Sequence, residues 1–137
     1  MRRGNLSVEP DIVFVSHQAV QDGRIHLVPA SSGSSDRFIQ WQGAPDLVVE
    51  DVSDSSVDKD TKRLFHSYEL AGVSEYWLVD ARGSEVDFQI NRLVADHYQQ
   101  VTMDDMGFQF SPVMNAKYRL DRQRGTGGFW QYRLHCQ

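Results

Sequence analysis

Two carboxylates stand at the ends of short apolar runs. Asp11 opens Asp11-Ile12-Val13-Phe14-Val15 behind Pro10, and Glu50 closes Leu47-Val48-Val49. Continuous β-branched and apolar runs of this length read as strands buried on both faces. If these strands are antiparallel neighbours, about 4.8 Å apart, the start of one lies beside the end of the other, and both carboxylates reach one cation. Magnesium takes a couple of carboxylates together with waters and phosphate oxygens, so an Asp and a Glu placed this way suit hydrolysis of a phosphodiester. The same two residues also fit strand-end carboxylates satisfied by backbone amides. An acid pair with no cation is electrostatically awkward, and one member then tends to keep its proton. Asp46, in the second Pro-Asp, is a poorer partner for Glu50. Four residues along one extended strand span roughly 13 Å, so Asp46 supports the turn entering its strand.

The elements that must position these acids follow from periodicity. A helix fits residues 60–71, with Ser56 or Asp58 as its cap, Leu64, Phe65, Tyr68 and Ala71 as its apolar stripe and Gly72 as its stop. Tyr76-Trp77-Leu78-Val79 reads as a third strand, packing on the helix through Phe65 and Tyr68, and Asp80-Ala81-Arg82-Gly83 as its turn. Residues 86–90 alternate and pair with that strand as a hairpin. Weaker strands fit residues 97–102, 108–110, 118–120 and 129–134, with Gly125-Thr126-Gly127-Gly128 as a hairpin turn rather than a phosphate loop. Residues 30–36 read as a surface loop. The order predicts a mixed α/β sheet domain.

Composition bounds the rest. A chain of 137 residues with 40% hydrophobic and 24% charged residues fits one globular domain, residues 1–137. Cys136 is the only cysteine, which excludes an intrachain disulfide and a Cys-rich zinc site. No run approaches the roughly 18 apolar residues of a membrane span, and Met1-Arg2-Arg3 leads into Gly4-Asn5 rather than an apolar signal core. A cytoplasmic protein without a membrane partner is expected. The net charge of −5 opposes indiscriminate coating of nucleic acid, but it is unevenly spread. Residues 44–60 hold six acids against Lys59, and residues 117–133 hold five bases against Asp121. The first group can hold a cation and the second can face a phosphate backbone, or both are solvated faces. The five histidines are scattered, without the i, i+4 spacing of a helical zinc site.

The strings Pro10-Asp11-Ile12-Val13-Phe14-Val15, Gly43-Ala44-Pro45-Asp46-Leu47-Val48-Val49-Glu50-Asp51-Val52-Ser53, and Tyr68 with Ala71-Gly72-Val73-Ser74-Glu75-Tyr76-Trp77-Leu78-Val79-Asp80 resemble the Uma-two family of restriction endonucleases, within the PD-(D/E)XK nuclease superfamily. The resemblance covers residues 10 to 92, and Phe110-Ser111-Pro112-Val113 is similar to the family's closing segment. It implies a restriction-endonuclease-like α/β core: a mixed sheet with a flanking helix, here shortened by the superfamily's N-terminal helix and extended by C-terminal strands. It further implies a magnesium or manganese site acting on DNA. By the resemblance, Asp11 and Glu50 bind the metal, Asp51 offers its backbone carbonyl, and a lysine orients the attacking water. That lysine is not two residues after Glu50, where Val52 stands, nor four before Tyr68, where the family commonly has it and this chain has Leu64. Lys62 and Lys59 are the remaining candidates. Lys62 lies about 200° from Leu64 around a helix, and Arg63, about 100° away, cannot give up a proton as lysine can. Two functions are therefore expected in competition: a metal-dependent endodeoxyribonuclease, or an inactive module of the same fold that binds nucleic acid or protein. The shortened start predicts a homodimer or larger homo-oligomer covering an exposed sheet.

Overall fold

The computed structural model describes residues 10–29, 38–52, 54 and 58–137. Residues 30–36, read above as a surface loop, and Ser56, read as a helix cap, lie outside them. Ten strands and two α-helices follow in chain order: β1 (Ile12–Phe14), α1 (His17–Gln21), β2 (Ile25–Pro29), β3 (Phe38–Gly43), β4 (Leu47–Val52), α2 (Asp58–Ala71), β5 (Glu75–Asp80), β6 (Asp87–Val94), β7 (His97–Gln100), β8 (Gln109–Ser111), β9 (Ala116–Arg124) and β10 (Trp130–Cys136).

The central sheet runs β1-β4-β5-β6-β7. β1 is antiparallel to β4, β4 is parallel to β5 through the α2 crossover, and the remaining pairs are antiparallel. This is the mixed sheet with flanking helix expected of a restriction-endonuclease-like core. Alternation along the strands sorts two apolar layers. Val48, Tyr76 and Leu78 point to one face, where Leu64, Phe65, Tyr68 and Ala71 of α2 cover them together with Tyr98. Leu47, Val49, Trp77, Phe88 and Ile90 point to the other face, where Val113, Tyr118 and Leu120 close over them from the second sheet, ordered β10-β9-β8.

The periodicity of 3.6 in α2 and of two in β4 and β5 therefore yields the predicted elements, with two corrections. Of the two β5 rings expected on α2, Tyr76 packs there, with ring centroids 5.6 Å from Phe65 and 5.4 Å from Tyr68. Trp77, its neighbour on a pleated strand, faces the other way and meets Phe88 and Tyr118. The second correction is β1, which is an edge strand and not buried on both faces: Ile12 is 59% exposed. α1 and the β2–β3 hairpin are elements that the sequence reading did not anticipate. α2 starts at Asp58, so Asp58 is helical rather than its cap. Gly72 ends it as expected, with φ of 81° and its N–H on the carbonyls of Tyr68 and Glu69.

Three side chains hold layers together where backbone ladders do not. The buried Gln109 amide accepts from Ile90 N (2.9 Å) and donates to Phe88 O (2.7 Å), joining β8 to β6. Glu75, 1% exposed, accepts from Trp77 Nε1 (2.9 Å), Ser111 Oγ (2.7 Å) and Val113 N (2.7 Å), tying β5 to the segment after β8. Asp46 accepts from Ser16 N (2.8 Å) and Arg24 (3.2 Å), which fixes the turns before β4 and around α1, the supporting role expected of it.

Candidate functional site

The register of β1 on β4 brings the two carboxylates together. Ile12 pairs with Val49, so one step further Asp11 stands opposite Glu50. A directly opposed pair in an antiparallel ladder projects to the same face, here the face that α2 covers. Asp11 is held from below: its Oδ2 accepts the Asp51 N–H at 2.7 Å. Glu50 is held from above: the Tyr68 hydroxyl on α2 donates to its Oε1 at 2.5 Å. Among the described residues each acid thus has one oxygen anchored.

The electrostatics follow from that geometry. Burial lifts the Glu50 carboxyl above the ordinary glutamate range, the Tyr68 hydrogen bond pulls it back, and the Asp11 carboxylate beside it pushes it up again. Burial and the Glu50 carboxylate both raise the Tyr68 hydroxyl, so Tyr68 stays a donor at any working pH. Tyr76 lies beneath the pair, its hydroxyl raised by burial and by the charges of Glu50 and Asp11. Among the described residues that buried hydroxyl has no hydrogen-bond partner.

A divalent cation fits this donor set. The two carboxylates are hard donors, and a cation would offset both the burial and the Asp11 charge that raise Glu50. In an extended strand the N–H and C=O of one residue point to the same edge, so the Asp51 carbonyl lies on the edge where its N–H meets Asp11. Among the described residues no cluster of three or more His, Cys, Asp or Glu side chains gathers for a metal, at this pair or elsewhere.

Of the two lysine candidates, only Lys62 has a described side chain. Lys62 is exposed on α2, and the side chain of Lys59 lies outside the described residues. Leu64, at the position where the resemblance would put lysine, is half-buried in the apolar layer with Tyr68 and Tyr76. Among the described residues no lysine or arginine forms an ion pair with Asp11 or Glu50. The sequence reading took Tyr68 as part of a packing stripe and missed its hydroxyl as the anchor of Glu50. The available signal was tyrosine instead of phenylalanine on a buried stripe, since a buried hydroxyl needs a partner.

Among the described residues no helix is long and apolar enough to cross a membrane. No curated protein matches the chain. The model of the family Uma2, described as "Putative restriction endonuclease", matches residues 2–121. With the strand-end acids, the helix tyrosine and the mixed sheet all inside that span, the chain belongs to the Uma2 family.

Proposed function

We propose that the chain is a metal-dependent endonuclease that hydrolyses phosphodiester bonds of DNA, with Asp11 and Glu50 as ligands of Mg2+ or Mn2+ and the Asp51 carbonyl beside them. The observation that carries this reading is the opposed Asp11–Glu50 pair, each acid anchored through one oxygen, with Glu50 raised by burial and by the Asp11 carboxylate. The bound ion would supply charge stabilisation at the scissile phosphate and lower the pKa of an attacking water. Tyr68 keeps Glu50 in one rotamer and leaves Oε2 for the ion. The Asp51 N–H does the same for Asp11, leaving Oδ1. The unpartnered Tyr76 hydroxyl can donate to a water held at the pair. Lys59, at the start of α2, or Lys62 would supply the amine that orients the water, and the function stands or falls with one of them reaching the site.

A second reading is favoured by Leu64: an apolar side chain packed where an amine is expected fits a domain that binds without cutting. The edge position of β1 supports a homodimer paired along it. Calorimetry with Mg2+ and Mn2+ on wild type and Glu50→Ala, followed by cleavage of plasmid and single-stranded DNA by the same samples, separates the readings. Metal binding and cleavage that both vanish in Glu50→Ala support the nuclease. Metal binding without cleavage supports the binding domain, and wild type that binds no metal overturns the nuclease reading.

A further inference from the structure

The hairpin of β9 and β10 is the most unusual surface of the molecule. It stays paired over seven residue pairs, Trp130↔Arg124 to Cys136↔Tyr118. Its inner half is core, since Tyr118 and Leu120 pack on the central sheet. The outer half is not: Phe129 is 77% exposed, and Tyr132 and Leu134 are each 51% exposed. Large rings left in solvent on a strand are costly unless something covers them.

The charge around these rings has one sign. From Arg122 to Cys136 the chain carries Arg122, Arg124 and Arg133 and no acid, in a protein of net charge −5. The one acid of the hairpin, Asp121, is already engaged by Arg119 (3.3 Å) and His135 (2.7 Å). The arginines are also arranged. The guanidinium carbons of Arg122 and Arg124 lie 4.1 and 3.9 Å from the centre of the Trp130 ring. Arg122 donates to Ala81 O (2.8 Å) and to Gly83 O, and Arg124 donates to Gly128 O (2.7 Å). Trp130 therefore holds two cations in place, while Phe129 and Tyr132 remain open as flat apolar platforms.

Topology connects this surface to the carboxylates. Ala81 follows Asp80, which pairs with Val52 across β4 and β5, and Val52 is two residues beyond Glu50. By strand spacings the Arg122 anchor lies about 11 Å from Glu50 along the sheet. The pair faces α2 and the hairpin covers the opposite face, so a ligand touching both must cross the end of the sheet where β4 and β5 terminate.

We propose that the outer β9–β10 hairpin binds an unpaired nucleic-acid strand, with phosphate on Arg124 and bases stacked on Phe129 and Tyr132. Cationic side chains that track a backbone beside aromatic rings are what such strands need, since every base has a π-face. The nuclease reading is what selects nucleic acid as the occupant. A second copy of the chain fits less well, because antiparallel pairing of β10 with itself about its middle residue sets Arg133 against Arg133.

The test is fluorescence anisotropy of the full chain, in EDTA, with a labelled thymidine oligomer of about 12 nucleotides and a duplex of equal length. The oligomer is expected to bind more tightly than the duplex. Phe129→Ala with Tyr132→Ala should weaken it at least about tenfold, with unchanged melting because both rings are exposed. Arg124→Gln should reduce the slope of log affinity against log salt by about 0.7. Tighter binding to duplex, no binding, or binding that the hairpin substitutions leave unchanged overturns the proposal. So does a wild-type dimer in sedimentation that the ring substitutions dissolve, which would assign the face to a second copy. Because EDTA removes cleavage from the readout, hairpin-dependent binding by a wild type that never cuts defeats the nuclease reading alone. Cutting with hairpin-independent binding defeats this proposal alone.

Discussion

At the scale of single residues, Asp46 and Glu50 are two carboxyls that their surroundings shift in opposite directions. Burial opposes the Asp46 charge, but the Ser16 N–H and hydroxyl and the Arg24 guanidinium outweigh it and hold its carboxyl below the usual 3.8. A carboxyl depressed in the folded state contributes stability that is present above its unfolded pKa and is lost as pH falls through the folded value. Glu50 is raised, so its sign is reversed: its favourable contribution is complete below the unfolded pKa and disappears as pH rises through the folded value. In metal-free protein at pH 7, Asp46→Ala is therefore expected to cost about 1–3 kcal/mol. Glu50→Gln, which keeps an acceptor for Tyr68, should leave the protein as stable or more stable. Urea melts of both variants at pH 7 check the pair, and a destabilised Glu50→Gln would mark that acid as structural. Tyr68→Phe removes the hydroxyl from a fully buried ring without changing its packing. Metal affinity should fall about 10–100-fold, the usual effect of deleting a group that orients a ligand, while the thermal midpoint stays close to wild type. Calorimetry decides it, and unchanged affinity would mean that packing alone positions Glu50. The acid pair itself was legible in the sequence because strand ends and the two-residue period dictate where Asp11 and Glu50 can meet. Which amine would serve it was not, since a lysine on a flexible stem is placed by tertiary contacts that spacing does not encode.

At the scale of elements, legibility followed length and periodicity. α2 has a clean apolar stripe ended by a glycine, and β4 and β5 are uninterrupted apolar runs, so all three could be read directly. The β2–β3 hairpin could not, because its ladder shifts between Val28 and Pro29. Its closure depends on Gly43, with φ of 113°, where an added Cβ would lie 2.1 Å from the Arg24 carbonyl oxygen. α1 is five residues long, capped by the Ser16 hydroxyl on Ala19 N (3.1 Å), too short to show a helical period. The late strands were placed only roughly: β7 is shorter than expected, β8 is shifted by one residue, and β10 and above all β9 are longer, because half of their residues face solvent or the second sheet and lack an apolar run. What joins that second sheet to the first is concentrated in Glu75. Removing its side chain would orphan the Trp77 indole N–H, the Ser111 hydroxyl and the Val113 amide at once. Glu75→Ala is expected to cost about 3 kcal/mol or more, since each buried group left unpaired costs about 1–3 kcal/mol. Chemical denaturation measures the loss. Near-wild-type stability would show that the two layers are held without it, by the packing around Trp77, Phe88 and Tyr118 and by Gln109.

At the scale of the whole molecule, the candidate site coincides with the weakest seam in the central sheet. β1 is a three-residue edge strand joined to β4 by three residue pairs. Beyond the ladder it is held by the Asp11 carboxylate on Asp51 N–H and by Asp46 N on Phe14 O. Short edge segments open more readily than the core around Val48 and Tyr76, which is fully buried. A cation shared by Asp11 and Glu50 would close that seam and offset the burial and the Asp11 charge that raise Glu50. Binding to the folded state alone stabilises by about 2.7 kcal/mol at a hundredfold excess over Kd, equivalent to roughly 10 °C in a domain of this size. Mg2+ or Mn2+ should therefore raise the thermal midpoint and slow hydrogen exchange at Ile12–Phe14 and Asp51 more than at Tyr76–Val79. The effect should grow as pH rises through the titration of Glu50, because the proton and the metal compete for the same carboxylate. Glu50→Ala should abolish both responses. If metal raised the midpoint equally in Glu50→Ala, or protected the β5 core and not β1, the ion would be binding elsewhere and the seam would be only an edge of the sheet.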